Sequence, residues 1–478
     1  MKLIGTAVAA FGGGASISRA DESKTAQPNI IVVFIDDMGW GDLSCFGGPD
    51  VTTENIDRLA SEGIRFEQFY VNSPICSPSR VAISTGQYPQ RWRIGSYLSN
   101  RAENEKRGIA HWLDPAAPML ARFLKEAGYA TGHFGKWHMG GQRDIGEAPL
   151  ISQYGFDESL TNFEGLGPRV LPLCDAYDGK GPRKYALGSD TLGHGPITWQ
   201  DRSKVTASFV AAAIKFINKA RAAKKPFYIN LWPDDVHSPF FPPEQARGDG
   251  KKRTLYNSVL DTMDRQLGIL FDTIRQDGAL RNNTIIVFCS DNGPEQGAGI
   301  AGPLRGVKTM LYEGGIRSPL IVWGPGRIES KKAGTVNQTS FVAAIDLAPS
   351  LLAIAGVKAP ENVQFDGQQM EDVLMGLSER SRKGPVFFRR PPDRDANSGI
   401  NDLPDLAVRQ GDWKLLCEYD GSNAELYNLA ADRTEQRNVA SEHPERVERL
   451  TKAVIQWHRL MPPDLGASYG KKNKEKPQ

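Results

Sequence analysis

Two apolar runs, each handing over to carboxylates, constrain this chain more than any other feature of it. Asn29 to Ile35 is unbroken and ends in Asp36-Asp37-Met38-Gly39. Thr284 to Cys289 is a second such run and ends in Ser290-Asp291-Asn292-Gly293. A segment apolar at nearly every position fits a strand buried on both faces, as in a parallel α/β sheet. Open α/β sheets place ligands beyond the carboxyl ends of their strands. Adjacent carboxylates at such an end are costly unless something cationic meets them. Asp36, Asp37, Asp291 and Asn292 offer four oxygen ligands from two strand ends. That donor set suits a hard cation such as Ca2+ better than zinc. The plainer alternative is a solvated Asp turn and an Asx turn at Asn292-Gly293. The repetition of the pattern favours metal.

The rest of the chain reads as α/β. Phe66–Val71, the stretch from Gly128, Phe227–Trp232 and Pro319–Trp323 are further predicted strands. Predicted helices cover Thr53–Gly63, Ala117–Ala127, Val205–Ala223, Leu255–Ile274 and Asp346–Ala355. Residues 141–200 are rich in Gly, Pro and polar residues, with little periodicity, and read as a long excursion over a site rim. From about residue 380 the texture changes to short strands around Val386, Leu406 and Trp413. Gly411-Asp412 offers a hairpin turn, and His443–Leu460 a last helix. The expected architecture is a large, mostly parallel sheet flanked by helices, followed by a smaller antiparallel-sheet-and-helix domain. The expected boundaries are a leader at 1–20, a main domain at 27–380, a C-terminal α+β subdomain at 381–465 and a basic tail at 466–478.

Cys76-Ser77-Pro78-Ser79-Arg80 sits where the Phe66–Val71 strand hands over to a helix closed by Gly86. Exposed N–H groups at a helix start favour anions, and Arg80 adds fixed positive charge. An isolated Cys is usually a small buried hydrophobe. Ser, Pro, Ser and Arg instead give Cys76 the polar, electropositive company of a reactive sulfur. Further along, Gly128-Tyr129-Ala130-Thr131 leads to Gly135-Lys136-Trp137-His138. Lys136 and His138 would face the same side if the chain stays extended. His133 in this stretch reads as structural, and Asp234 and Asp235, after the Phe227–Trp232 strand, read as loop carboxylates.

Cys-x-Pro-Ser-Arg resembles the defining motif of the type I sulfatases. Gly-Tyr-x-Thr-x-x-x-Gly-Lys-x-His, at 128–138, resembles their second motif at every specified position. Gly306-Val307-Lys308, followed by Glu313-Gly314-Gly315-Ile316-Arg317-Ser318-Pro319, resembles a third family segment. Glu425-Leu426-Tyr427-Asn428-Leu429 resembles the family's Leu-Tyr-Asp-Leu close, and His237 before Ser238-Pro239 resembles its third active-site histidine. The likeness runs from roughly Asn29 to Ala440 and implies an alkaline-phosphatase-like fold. It implies that Cys76 is oxidised to formylglycine by a formylglycine-generating enzyme. The hydrated aldehyde then takes sulfate from an ester and releases it by internal elimination. It implies Ca2+ on Asp36, Asp37, Asp291 and Asn292, with Cys76 at the same ion. It also implies Arg80 beside the formylglycine and His138 as a base. Lys136 and Lys308 would bind sulfate, and His237 would aid the leaving group.

Other readings are bounded by composition. A net charge of +2 gives no case for nucleic acid as a partner. No run is long enough to span a bilayer, so no integral membrane segment is expected. Lys2, the small apolar stretch Leu3–Ala15 and Ser18-Arg19-Ala20 resemble an export signal, which predicts a periplasmic or secreted enzyme. The five cysteines show no zinc or Cys-x-x-Cys spacing; four are left to pair or stay free. A two-zinc phosphomonoester or phosphodiester hydrolase on the same sheet needs more His ligands than seven histidines readily give, two of them C-terminal. A non-catalytic binder of sulfated glycans would not need every motif position filled. The expected substrate is a sulfated carbohydrate, small or oligomeric, with a broad-specificity arylsulfatase as the alternative.

Overall fold

The computed structural model describes residues 27–174, 181–391, 403–463 and 465. The expected leader and basic tail lie outside these residues. β1 (Asn29–Ile35) runs through the middle of the main sheet, between β8 (Phe227–Trp232) and β9 (Thr284–Ser290), and is parallel to both. Its odd and even residues enter different cores. Ile30, Val32 and Phe34 belong to one cluster; Ile31, Val33 and Ile35 belong to the other. That is why the run carries no polar alternation.

Beyond β8 the sheet continues through β3 (Ala130–Gly135) to β4 (Glu158–Leu160), both parallel. Beyond β9 lies β10 (Arg317–Trp323), antiparallel to β9 and to β2 (Ile64–Tyr70). β2 also pairs in parallel with β11 (Thr335–Asn337) and β12 (Val342–Ala343). The sheet is therefore mixed but mostly parallel. The helices Val205–Ala222 and Lys252–Gln276 cover one face. The helices Leu120–Glu126 and Leu347–Ile354 cover the other.

The excursion at 141–200 is more ordered than its sequence suggests. β4 extends the main sheet, and β5 (Arg169–Cys174) pairs with β6 (Arg183–Lys184) and β7 (Ile197–Asp201) in a separate three-stranded sheet. The strands span only 2 to 6 residues, and Pro172 sits inside β5. Segments so short leave no readable period.

The C-terminal sheet is antiparallel, in the order β13 (Val386–Arg389), β14 (Leu406–Gln410), β15 (Trp413–Cys417), β16 (Glu425–Asn428). Gly411, at φ 58°, makes the expected β14–β15 turn. The helix Pro444–Leu460 packs Leu450, Val454 and Trp457 against this sheet. Lys414 of β15 reaches across to Glu313, just before β10 of the main sheet, at 3.0 Å, and also meets Glu435, beyond β16, at 2.8 Å. All three side chains are buried. Glu313 also accepts from Tyr70 and Arg317. Removing one member of a buried ion network leaves the others uncompensated, typically at about 3–5 kcal/mol. Lys414→Ala is therefore expected to lower the unfolding free energy by about 3–5 kcal/mol in urea denaturation. An unchanged midpoint and slope would show that Lys414 contributes nothing to the join.

Candidate active site

Arg80 anchors the site. It is fully buried in the helix Cys76–Thr85, with its guanidinium over the rings of Phe34 and Trp232. Nη2 lies 3.1 Å from Asp36 Oδ1 and donates to Asp291 Oδ2 at 2.9 Å, while Nη1 donates to Lys136 O at 2.9 Å. One side chain thus ties the tips of β1, β9 and β3 together. Cys76 is the first residue of the same helix. Ile75 before it is extended, and Gly86 closes the helix at φ 67°.

The carboxylates converge as the two sequence runs predict. Asp37 has a left-handed backbone, φ 61°, and its N–H donates to Asp291 Oδ1 at 3.0 Å. Asp37 Oδ1 accepts from Asn292 Nδ2 at 2.8 Å. Asn292-Gly293 is not a solvated Asx turn: both residues are buried. A Cβ on Gly293 would stand 1.9 Å from Gly314 O, so glycine is required where these loops touch.

Two lysines meet this acidic group from opposite strands of sequence. Lys136 Nζ donates to Asp36 at 2.7 Å and Lys308 Nζ to Asp37 at 2.6 Å. Burial opposes charge on Asp36, but Lys136 and Arg80 outweigh it and hold the carboxyl well below its usual range. Burial, and then the Asp36 charge, push Asp291 well up. The two carboxyls of this buried pair are thus pushed in opposite directions. Burial likewise opposes ionisation of Cys76, yet Lys136 and Lys308 bring its thiol down to about 6.

Lys136 and His138 reach the site together, but not along an extended strand. β3 stops at Gly135, and His138 is left-handed at φ 53°. The His138 Nε2 donates to Leu98 O at 2.9 Å and lies 3.0 Å from Glu164 Oε2. Burial would lower the His138 pKa, but Glu164 raises it. Glu164, held down to about 2 against its burial by His138 and Lys136, is a partner that no motif announced. It is reached through an isolated backbone bridge between Gln142 and Glu164, a pairing too local to leave a sequence signal. His237 stands at the mouth, with Nε2 3.7 Å from Asp37 Oδ2 and a side chain 30% exposed.

The other singled-out residues are structural. His133 is fully buried among Trp137, Phe156 and Trp232, and burial holds its pKa down to about 3. Asp234 pairs with Arg202 at 2.9 Å and accepts from Asn162, and Asp235 accepts from Thr206. None of the five cysteines forms a disulfide with another. Cys76, Lys136, His138, His237 and Lys308 line one cavity of about 650 Å3.

The donor set fits a hard cation. Ligand atoms of Asp36, Cys76 and Asp291 lie within 4.8 Å of one another. Asn292 Oδ1 is buried and accepts no hydrogen bond, and Asp36 Oδ1 has only the Arg80 ion pair at 3.1 Å. Buried acceptors left this way are rare without an ion or water. With Asp37 the strand ends offer four oxygen donors, the ligand type a hard cation takes.

Sheet order and site position define an α/β enzyme of the alkaline-phosphatase-like class. The phosphonate monoester hydrolase of Agrobacterium radiobacter shares the fold at a TM-score of 0.63, covering 93% of this chain and 97% of that one at 19% identity. The chain belongs to the sulfatase family. The Sulfatase family model matches residues 28–357, and the model described as N-sulphoglucosamine sulphohydrolase, C-terminal, matches residues 307–459. An N-acetylgalactosamine-6-O-sulfatase of Bacteroides thetaiotaomicron is 30% identical, covering 92% of this chain and 94% of that protein. Human arylsulfatase A is 31% identical over 81% of this chain and 74% of its own length. The crystal structure of Ps i-CgsB in complex with k-i-k-neocarrahexaose superposes at a TM-score of 0.73, with 26% identity and 90% and 93% coverage. The protein is a sulfuric ester hydrolase. No helix of its described residues is long and apolar enough to cross a membrane.

The Cys76 environment yields a direct check. In protein whose residue 76 is an unmodified cysteine, iodoacetamide labelling of Cys76 should rise with pH as the thiolate forms, half-maximal near the value of about 6. Burial pushes the Cys289 and Cys417 thiols up, so both should stay unlabelled at neutral pH. Peptide mass spectrometry reads both. Labelling of Cys76 only in alkaline solution would contradict the influence of Lys136 and Lys308.

Proposed function

We propose that this enzyme removes sulfate from a sulfated carbohydrate, using formylglycine made from Cys76 and a bound Ca2+. The observation that carries the reading is the convergence of Cys76, two carboxylates and two lysines on one cavity. The carbohydrate follows from relatives whose names or titles state a sulfated amino sugar or a neocarrahexaose. Conversion of Cys76 needs a formylglycine-generating enzyme as a maturation partner, and the N-terminal pattern suits export to the periplasm or beyond.

A sulfate monoester repels an approaching nucleophile, so the site must neutralise its oxygens and fix it in line. The hydrated aldehyde supplies the nucleophilic oxygen and a second hydroxyl for the later release of sulfate. Asp36, Asp37, Asp291 and Asn292 would hold the cation, which would supply positive charge to stabilise a bound anion. Lys136 and Lys308 add two ammonium groups whose pKa values their carboxylate partners raise despite burial, so both stay charged. Arg80 fixes the helix that carries Cys76. His138, oriented by Glu164 and Leu98, moves the proton of a hydroxyl on residue 76. His237, at the mouth, faces the leaving oxygen and can protonate it.

Cys76→Ala should abolish sulfate release from sulfated sugars, measured by ion chromatography; near-normal turnover would end the covalent reading. Lys308→Ala should cost about 10²–10³-fold in kcat, the usual effect of removing one charge-stabilising donor. Chelation should lower the thermal midpoint and remove activity, with both restored by Ca2+. A midpoint indifferent to chelator would exclude a resident cation.

A further inference from the structure

We propose that Arg143 binds a second anionic group on the saccharide, next to the sulfate ester that is cleaved. This deepens the sulfatase reading above and rests on it. Lys136 is paired with Asp36 at 2.7 Å, Lys308 with Asp37 at 2.6 Å, and Lys252 with Glu295 at 2.8 Å. Glu164 is engaged with His138 at 3.0 Å. Arg143 lines the same cavity; its charge helps to hold the Glu164 carboxyl down, but among the described residues it makes no ion pair at contact distance. Its Nε is buried and makes no hydrogen bond. A half-buried guanidinium with an orphaned donor is costly to maintain unless something fills it.

The backbone holds this arginine in place. Its φ of 56° is a left-handed conformation that few side chains adopt unaided. Its neighbours clamp it there. Gln142 donates to Ser99 O at 3.0 Å and His111 O at 3.2 Å, and pairs by its backbone with Glu164. Asp144 accepts from the Arg101 N–H at 2.9 Å. On the other side runs Tyr185–Gly188, where a Cβ on Gly188 would stand 2.7 Å from Arg143 O. Tyr185, edge-to-face on Phe163 at 5.8 Å, walls the cavity beside the arginine. A planar guanidinium on this cavity wall, its backbone fixed by its neighbours, suits a carboxylate or sulfate oxyanion rather than a neutral hydroxyl. Such a group comes from a uronic acid neighbour or from a second sulfate.

Three defined substrates separate these outcomes: a sulfated disaccharide with a uronic acid neighbour, one with a second sulfate, and one with a neutral neighbour. The measurement is kcat/KM for the natural chain, Arg143→Gln and Arg143→Lys. The natural chain should prefer one of the doubly anionic substrates over the neutral one by about ten-fold or more, the scale of a charged hydrogen bond. Arg143→Gln should erase that preference, and Arg143→Lys should keep part of it. Whichever substrate responds names carboxylate or sulfate as the group. Each preference is a ratio within one variant, so a change in folded fraction cancels. A natural chain with no preference, or Arg143→Gln with the preference intact, overturns the Arg143 assignment alone. No sulfate release by the natural chain from any of the three overturns the underlying carbohydrate sulfatase reading.

Discussion

A single buried guanidinium holds this molecule's centre together. Arg80 has no solvent to fall back on, so its charge is met by Asp36 and Asp291 from neighbouring strands and by the carbonyl of Lys136 from a third. A lysine could place a charge there, but it could not reach three partners along the edges of one rigid plane. Burying such a group is costly, and the surrounding carboxylates are costly in turn. The two expenses offset each other only in one geometry. The helix that carries Arg80 also begins with Cys76, so that geometry fixes the sulfur as well.

The same logic sets the protonation of the site. Asp36 keeps its charge because Lys136 and Arg80 sit against it, whereas Asp291 is driven toward its neutral form by burial and by Asp36. Lys136 and Lys308 lie on the opposite side of that balance, and their field is what draws down the Cys76 thiol. A divalent ion held by Asp36, Asp37, Asp291 and Asn292 would add positive charge at the same point. The lysine ammonium groups can then serve an incoming anion. Arg80 differs from the two lysines in being held by three partners at once.

Much of this was legible in the sequence, for identifiable reasons. β1 and β9 showed themselves because both faces are buried, which removes every polar alternation from the run. Asp36, Asp37, Asp291 and Asn292 followed because strand tips must carry what the sheet interior excludes. Cys76, Arg80, Lys136, His138 and Lys308 stood in compact local patterns. Glu164 and Arg143 did not, since each reaches the cavity through a bridge or turn formed with residues distant in sequence. The ordered strands inside 141–200 were also hidden, being too short and too interrupted by Gly and Pro to show a period. The expectation that Lys136 and His138 share a face by alternation reached the right outcome by the wrong path: left-handed His138, beyond the end of β3, turns the ring in.

The small sheet of β5, β6 and β7 stands apart from the nine strands that carry the acidic tips. Its loops nonetheless furnish Tyr185 and Leu187 to the cavity wall. Reactivity and selectivity are therefore written in different stretches of chain. One is a fixed engine, bound by mutual charge neutralisation and intolerant of drift. The other behaves as an exchangeable visor, free to be lengthened, trimmed or regrafted as new polymers present themselves, without retuning the engine beneath it.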